Sequence, residues 1–469
     1  MSAEELCFTP ATQLASMIRS KALSPVELMR AVLDRIDKVN PALNAFCTVT
    51  AGAALEAARE AEQAVMRSGT LGPLHGLPFS VKDLALTRGV RSTSGSHIFA
   101  QRVPDTDAPF VRRLREAGGV LVGKTTTPEF GWKALGDSPL TGITRNPWDP
   151  AMTTGGSSAG AAAAAAAGLG PLHQGSDGAG SIRIPSAFCG TFGHKPSHGR
   201  VPMWPVSNTD STSHVGPMTR TVGDAALMLA VMAGPDPWDQ TSLEAPPADY
   251  VGLLHRGVSG RRIAFSPDLD GLRVDAEVAA AVRQAALAFQ ELGCTVEDVK
   301  PGFADSGEMV RCLWSSHYAG NYAQYVPEWG AHMDPGLLAC IEHGRRYSAV
   351  EYVERRGRKL AHWDSVRWLH EHYDLLLTPT VSVAAFPVGR LNPEHFPQHA
   401  WDWLPWASFS YPFNFTGQPA ATVPAGFTPA GLPVGLQIVG RRFDDLTVLQ
   451  ASAAFEQARP WARHRPALQ

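Results

Sequence analysis

The sequence predicts an α/β fold, and three stretches carry the prediction. Residues 51–66, rich in alanine and glutamate, read as a helix; a glycine-containing turn at 69–76 then leads into an apolar strand at 77–81 that ends on Lys82. Residues 111–117 read as a helix closed by Gly118-Gly119, with a short buried strand at 120–122 directly behind it. Past Gly216 the alternation continues, with a helix at 222–233, a strand at 262–265 and a helix at 278–292 closed by Gly293. Helix and strand in repeated alternation are the mark of helices layered on a sheet.

The remaining elements follow in order. Ser24-Pro25-Val26-Glu27 has the form of a capping box with proline at the first helical position, and Leu28, Met29, Val32, Leu33 and Ile36 continue it at helical spacing. The alanine run at 161–167 has high helix propensity and almost no side-chain bulk, so it reads either as plain helix-forming sequence or as a helix able to lie close on a sheet, with Ser157 and Ser158 near its start. Residues 302–405 are rich in Trp, Tyr and His and show no clear period apart from a buried strand at 375–377. Neither internal repeats nor a low-complexity linker divide the chain, which points to one domain over residues 1–469.

Composition narrows the function. Hydrophobic residues make up 44% and charged residues 18% of the chain, which argues against disorder, and a formal net charge of -3 offers no basic footprint for nucleic acid. A small-molecule or peptide-like substrate fits better. Cys7, Cys47, Cys189, Cys294, Cys312 and Cys340 are scattered, without metal-ligand spacing, and read as reduced thiols. Glu4 and Glu5 precede any basic residue and no apolar stretch follows them, so no secretory signal is expected; the longest small-apolar run falls short of the roughly 20 residues of a membrane span. A cytoplasmic protein without a membrane partner is expected.

The chemistry gathers in two glycine-rich stretches, 155–160 around Ser157 and Ser158 and 175–181 ending on Ser181, together with Lys82 at its strand end. A serine becomes a strong nucleophile when a base takes its proton, and glycines let backbone N–H groups converge on one point. Three competing motifs fit less well, and of these the esterase reading on Ser158 stays as an alternative. Residues 118–125 spell a phosphate-binding loop, but Val120-Leu121-Val122 fill the interval that should be flexible backbone. Gly156-Ser157-Ser158-Ala159-Gly160 spells the nucleophile elbow of an α/β-hydrolase with Ser158 as nucleophile, but Pro147 and Pro150 stand where that elbow needs a buried strand. His370-Glu371-His372 lacks the spacing of a metal site, and no metal or other cofactor is expected.

Together, Gly76-Leu77-Pro78-Phe79-Ser80-Val81-Lys82-Asp83, residues 155–160 and Asp177-Gly178-Ala179-Gly180-Ser181-Ile182-Arg183-Ile184-Pro185 resemble the amidase signature family. The likeness extends through Phe188-Cys189-Gly190, Lys195-Pro196, 216–220 and 431–440, and is weakest at 302–405. It implies a large mixed central β-sheet covered by helices on both faces, a signature core at about 76–220 and a variable substrate-side region at about 302–410. It also implies a Ser-Ser-Lys triad: Ser181 as nucleophile, Ser157 as bridging serine after a cis peptide bond from Gly156, and Lys82 as base. The N–H groups of Gly178, Ala179, Gly180 and Ser181 correspond to the oxyanion hole; Ala179 replaces a commoner glycine, and a positive φ there would cost alanine on the order of 1 kcal/mol. Ser158, Asp177 and Arg183 correspond to positions that support the site.

The family spans aliphatic, aryl, peptide and fatty acid amidases, carbamate hydrolases and the glutaminase subunit of a tRNA-dependent amidotransferase. Glutaminase members are expected to carry an acidic residue shortly before the asparagine matching Asn414; residues 403–413 contain none and offer Ala407 and Ser408. Trp204, Trp401, Trp403, Trp406, Phe409 and Tyr411 supply aromatic surface for a pocket, the core or a homodimer contact. Phe130, Trp204, Trp406 and Tyr411 are taken as pocket residues for an apolar or aryl amide, with carbamates and esters sharing the same tetrahedral intermediate.

Overall fold

A computed structural model describes residues 1–67, 69–207, 211–303 and 306–468. Its centre is a mixed sheet of eleven strands. From one edge to the other these are Phe46–Val49, Val120–Thr125, Pro78–Lys82, Leu172–Asp177, His214–Thr219, Phe192–Lys195, Ala420–Phe427, Pro433–Gly440, Leu375–Pro379, Arg262–Phe265 and Thr295–Asp298. Pro78–Lys82 runs parallel to both of its neighbours, and its register sets Lys82 beside Thr125 and Val81 beside Gln174. The carboxyl ends of Pro78–Lys82 and Leu172–Asp177 therefore meet at the same edge of the sheet, where open α/β sheets place their ligands.

Strands in the middle of the sheet bury both faces. Leu375 and Leu377 pack into the main core, while Leu376 joins Leu369, Phe413 and Val439 in a separate cluster on the other side. This alternation explains why the segment reads as an unbroken apolar run.

The predicted helices form with small shifts at their ends: Ala51–Met66, Pro109–Glu116, Val222–Met232 and Ala276–Glu291. The strand behind Gly118-Gly119 extends through Lys124 to Thr125, so the apparent phosphate loop is a strand. Lys124 is buried, and its ammonium donates to the Ala85 carbonyl and to the hydroxyls of Thr87 and Ser92. Helix Pro25–Leu43 starts on half of the expected box. Ser24 Oγ accepts from the N–H groups of Val26 and Glu27, but its hydroxyl donates to Glu62 on the next helix and Glu27 makes no return bond. Segment 302–405, aperiodic in sequence, holds the helices Gly307–Tyr322, Pro335–Gly344 and Ala349–His372.

The alanine run lies close on the sheet. Every residue of helix Ala159–Ala167 is buried, and a Cβ added at Gly160 would come within 2.1 Å of the Ala45 carbonyl oxygen and 2.4 Å of the Thr126 nitrogen. Backbone cannot yield as a flexible side chain does. Gly160→Ala is expected to lower stability by about 1–3 kcal/mol through overpacking, seen as a lower denaturant midpoint at unchanged slope; an unchanged midpoint would show that the helix does not need this approach.

Candidate active site

The sheet edge brings Lys82 and the two serine stretches together. Lys82 is wholly buried, and its backbone N–H donates to Gln174 Oε1 at 3.1 Å. Its Nζ lies 2.7 Å from Ser157 Oγ, 3.0 Å from Ser158 Oγ and 3.1 Å from Ser176 Oγ. All three neighbours are neutral hydroxyls. Burial therefore acts nearly unopposed, pulling the Lys82 ammonium down to about 7 against a weaker upward influence from Asp177.

The peptide bond between Gly156 and Ser157 is cis. Ser158 follows as a buried N-cap residue: its Oγ donates to the Ser176 carbonyl and accepts from the Ser176 N–H. That hydroxyl is fully engaged. Ser158 N–H donates to the Ser181 carbonyl at 3.2 Å, joining the two serine stretches, whereas the Ser181 hydroxyl has no hydrogen-bond partner among the described residues.

The loop from Asp177 to Ser181 is set by a buried ion pair. Asp177 Oδ1 and Oδ2 each lie 3.0 Å from the Arg183 guanidinium, and the same carboxylate accepts from Gly180 N–H at 2.6 Å and Ile182 N–H at 3.1 Å. Arg183 is further fixed by the Ser410 carbonyl, Gln437 Oε1 and Asn414 Oδ1, at 2.8, 2.6 and 2.6 Å. Burial pushes the Asp177 carboxyl up, but Arg183, Lys195 and Asn414 outweigh it and hold the group well below the usual carboxylate range. Removing one partner from such a pair leaves an uncompensated buried charge. Arg183→Met is expected to cost on the order of 3 kcal/mol, measured by denaturant unfolding at neutral pH; a loss under about 1 kcal/mol would remove the loop's stability from this pair.

Two expectations about the loop change. Gly180 N–H, grouped with the oxyanion donors, donates to Asp177 Oδ1 at 2.6 Å, whereas among the described residues the N–H groups of Gly178, Ala179 and Ser181 have no protein acceptor. The positive φ falls on Gly180, at +116°, and not on Ala179, which carries no strain of that kind.

A cavity of about 430 Å³ opens beside Lys82, Ser176 and Gly178. Phe130 and Trp204 line it. Trp406 and Tyr411 do not. Trp406 is stacked against Phe188 and meets Phe386 edge-on in the core, and Tyr411 is buried with its hydroxyl bonded to Ser408. Phe99, Phe110 and Tyr322 complete the aromatic wall with Phe130 and Trp204, and Phe130 and Tyr322 are stacked at 4.0 Å. Phe130 is tied to the serines through Gly131, whose added Cβ would stand 3.2 Å from Ser157 Oγ. Sequence reasoning missed Ser176, Gln174 and Tyr322. Ser176 sits inside the glycine-rich stretch 175–181, one residue before Asp177; Tyr322 lies in the aperiodic segment and carries no signal.

His370 and His372 contact the carbonyls of Tyr373 and Trp368 at a helix end, and among the described residues no three His, Cys, Asp or Glu side chains stand close enough to hold a metal ion.

The family profile named Amidase matches residues 27–449. The chain belongs to the Amidase family. The acylamidase of Rhodococcus erythropolis is 39% identical to this amidase over 477 residues, spanning 100% of this chain and 99% of the relative. A glutamyl-tRNA(Gln) amidotransferase component from Moorella thermoacetica is 37% identical over 489 residues, 99% of each chain. Among solved structures, a bacterial aryl acylamidase of the amidase signature family superposes with a TM-score of 0.91 at 31% identity, covering 97% of each chain.

Proposed function

We propose that this amidase hydrolyses amides with an apolar or aryl arm through a seryl acyl-enzyme, with Ser181 as nucleophile, Ser157 as relay and Lys82 as base. The observation that carries the reading is Lys82 itself: a buried amine brought near neutrality by desolvation, 2.7 Å from Ser157 Oγ. Neutral Lys82 takes a proton through Ser157 as Ser181 Oγ attacks the carbonyl carbon, and the N–H groups of Gly178, Ala179 and Ser181 stabilise the developing oxyanion. The same relay returns the proton to the leaving amine. Water then attacks the acyl-enzyme and releases the acid. Carbamates and esters pass through the same intermediate and are expected as secondary substrates. Asp177 and Arg183 shape the loop, and Ser158 holds Lys82 without reacting.

The cavity walls of Leu84, Leu86, Phe110, Phe130, Val206 and Tyr322 support an apolar substrate arm, and the segment around 302–410 contributes through Tyr322. The amidotransferase relatives support a second reading, that of a glutaminase working within a larger assembly. Against it, Asp177 is the one carboxylate among the described lining residues, and both of its oxygens are held by Arg183, which leaves no partner for the ammonium of glutamine. No helix among the described residues is long and apolar enough to cross a membrane, and six free cysteines suit a reducing cytoplasm.

The test is turnover by the purified chain of a panel of p-nitroanilides, aryl carbamates and glutamine. Release of nitroaniline without a partner chain is expected; hydrolysis of glutamine alone would overturn the reading.

A further inference from the structure

The cavity beside Lys82 is mostly apolar, yet one cation on its wall makes no ion pair among the described residues. Arg102 is half-buried there: its Nε donates to the Ser92 carbonyl at 2.8 Å, one Nη2 bond goes to Ser94 Oγ at 3.0 Å, and the guanidinium lies over the Phe99 ring at 4.4 Å from its centroid. Among the described residues no carboxylate stands within ion-pair distance of it, and its Nη1 donates to no protein group. The nearby Asp83 attracts Arg102 through space but makes its contacts elsewhere. Its Oδ2 accepts from the Thr93 N–H and hydroxyl, and its Oδ1 faces Lys124 at 3.9 Å.

The other charges on the lining are cancelled or absent. Asp177 is neutralised by Arg183, Lys82 is neutral in its reactive form, and burial keeps the His317 imidazole uncharged near pH 7. A guanidinium pinned by two hydrogen bonds and an aromatic face has lost its conformational freedom before any ligand arrives, and its planar edge matches a carboxylate. Arg102 is also coupled to the reacting groups by short links. Ser94, which accepts from it, offers its backbone carbonyl to the Phe130 N–H, and Phe130 precedes the Gly131 that packs on Ser157.

We propose that Arg102 is the anion-recognising residue of this cavity, and that the preferred substrates are amides carrying a carboxylate at the far end of the arm lodged there. The inference rests on the proposed amide hydrolysis and adds the substrate class. An apolar spacer lies along Leu84, Phe110 and Phe130 while the carboxylate meets Arg102.

Two matched pairs test it: glutaryl against pentanoyl p-nitroanilide, which places the charge on the acyl arm, and 4-acetamidobenzoate against acetanilide, which places it on the amine arm. In at least one pair the carboxylated member is expected to have about tenfold or greater kcat/KM, as for a charge-assisted hydrogen bond in a half-buried site. Arg102→Gln should bring that ratio close to unity through KM, Arg102→Lys should restore part of it, and raised salt should reduce it. Calorimetric binding of the same pairs to Ser181→Ala protein gives the comparison without turnover, so an inactive chain refutes the amidase chemistry and leaves the Arg102 result readable. Equal affinity within both pairs, or a preference that survives Arg102→Gln in a variant of unchanged melting temperature, overturns the proposal.

Discussion

Replacing Ser181 by alanine is expected to lower kcat/KM on an apolar anilide by at least about 10⁴-fold, because removing a nucleophile leaves only the oxyanion donors and substrate binding to act on the bond. The protein should stay folded, since the Ser181 hydroxyl has no partner among the described residues to lose. Ser158→Ala is the informative contrast. That hydroxyl stands 3.0 Å from Lys82 Nζ, but Ser157 and Ser176 remain as neighbours of the amine when it is gone. The loss of one hydrogen bond to the amine accounts for at most about 10²-fold. Single-turnover assays with a p-nitrophenyl ester sharpen the contrast: Ser158→Ala should still show an acylation burst and Ser181→Ala should show none. The reverse pattern would make Ser158 the nucleophile and return the elbow motif to consideration.

Two prolines disfavour that elbow in the sequence, and residues 144–156, directly before Ser157, form no strand of the central sheet. Where backbone pattern decides, the sequence was readable. Strand Pro78–Lys82, helix Ala51–Met66 and the position of Lys82 at a sheet edge all follow from apolar period and glycine punctuation. Segment 302–405 was opaque for a physical reason visible in helix Ala349–His372. It exposes Val350, Val353, Leu360 and Trp368 while burying His362 and His370 beside Val366 and Leu369, so its burial follows hydrophobicity only in part and the apolar stripe is blurred. Pocket and core aromatics are hard to separate in sequence on similar grounds. A tryptophan serves core and ligand equally well, and nothing local distinguishes Trp406, stacked on Phe188, from Trp204 on the cavity wall. The engagement of Gly180 N–H by Asp177 is a local contact between residues three apart, set by the loop's backbone conformation, which a motif naming both residues does not specify.

Lys82→Met is expected to reduce kcat/KM by about 10³-fold or more and, in the same variant, to change how stability depends on pH. For the wild type, activity requires the neutral amine. With the ammonium brought down to about 7, kcat/KM should rise about tenfold per pH unit below that value and level off above it; the methionine variant should show no such limb. Stability moves in a direction set by the same shift. In the unfolded chain Lys82 holds its proton up to about pH 10.4, whereas in the folded chain it releases the proton near 7. Between these values the unfolded state binds one more proton, so unfolding free energy rises with pH at about 1.4 kcal/mol per unit from this residue. Below pH 7 both states carry the charge and the folded protein bears the full cost of burying it. Lys124, brought down to about 8 by burial against the opposing influence of Asp83, adds a slope of the same sign, but it is present in both proteins and cancels in the difference. Denaturant titrations of wild type and Lys82→Met from pH 6 to 10 should therefore diverge by that one-proton slope, with methionine favoured most at the acid end. Parallel stability curves would mean that Lys82 keeps an ordinary ammonium in the folded protein, and the relay through Ser157 would then lack its base.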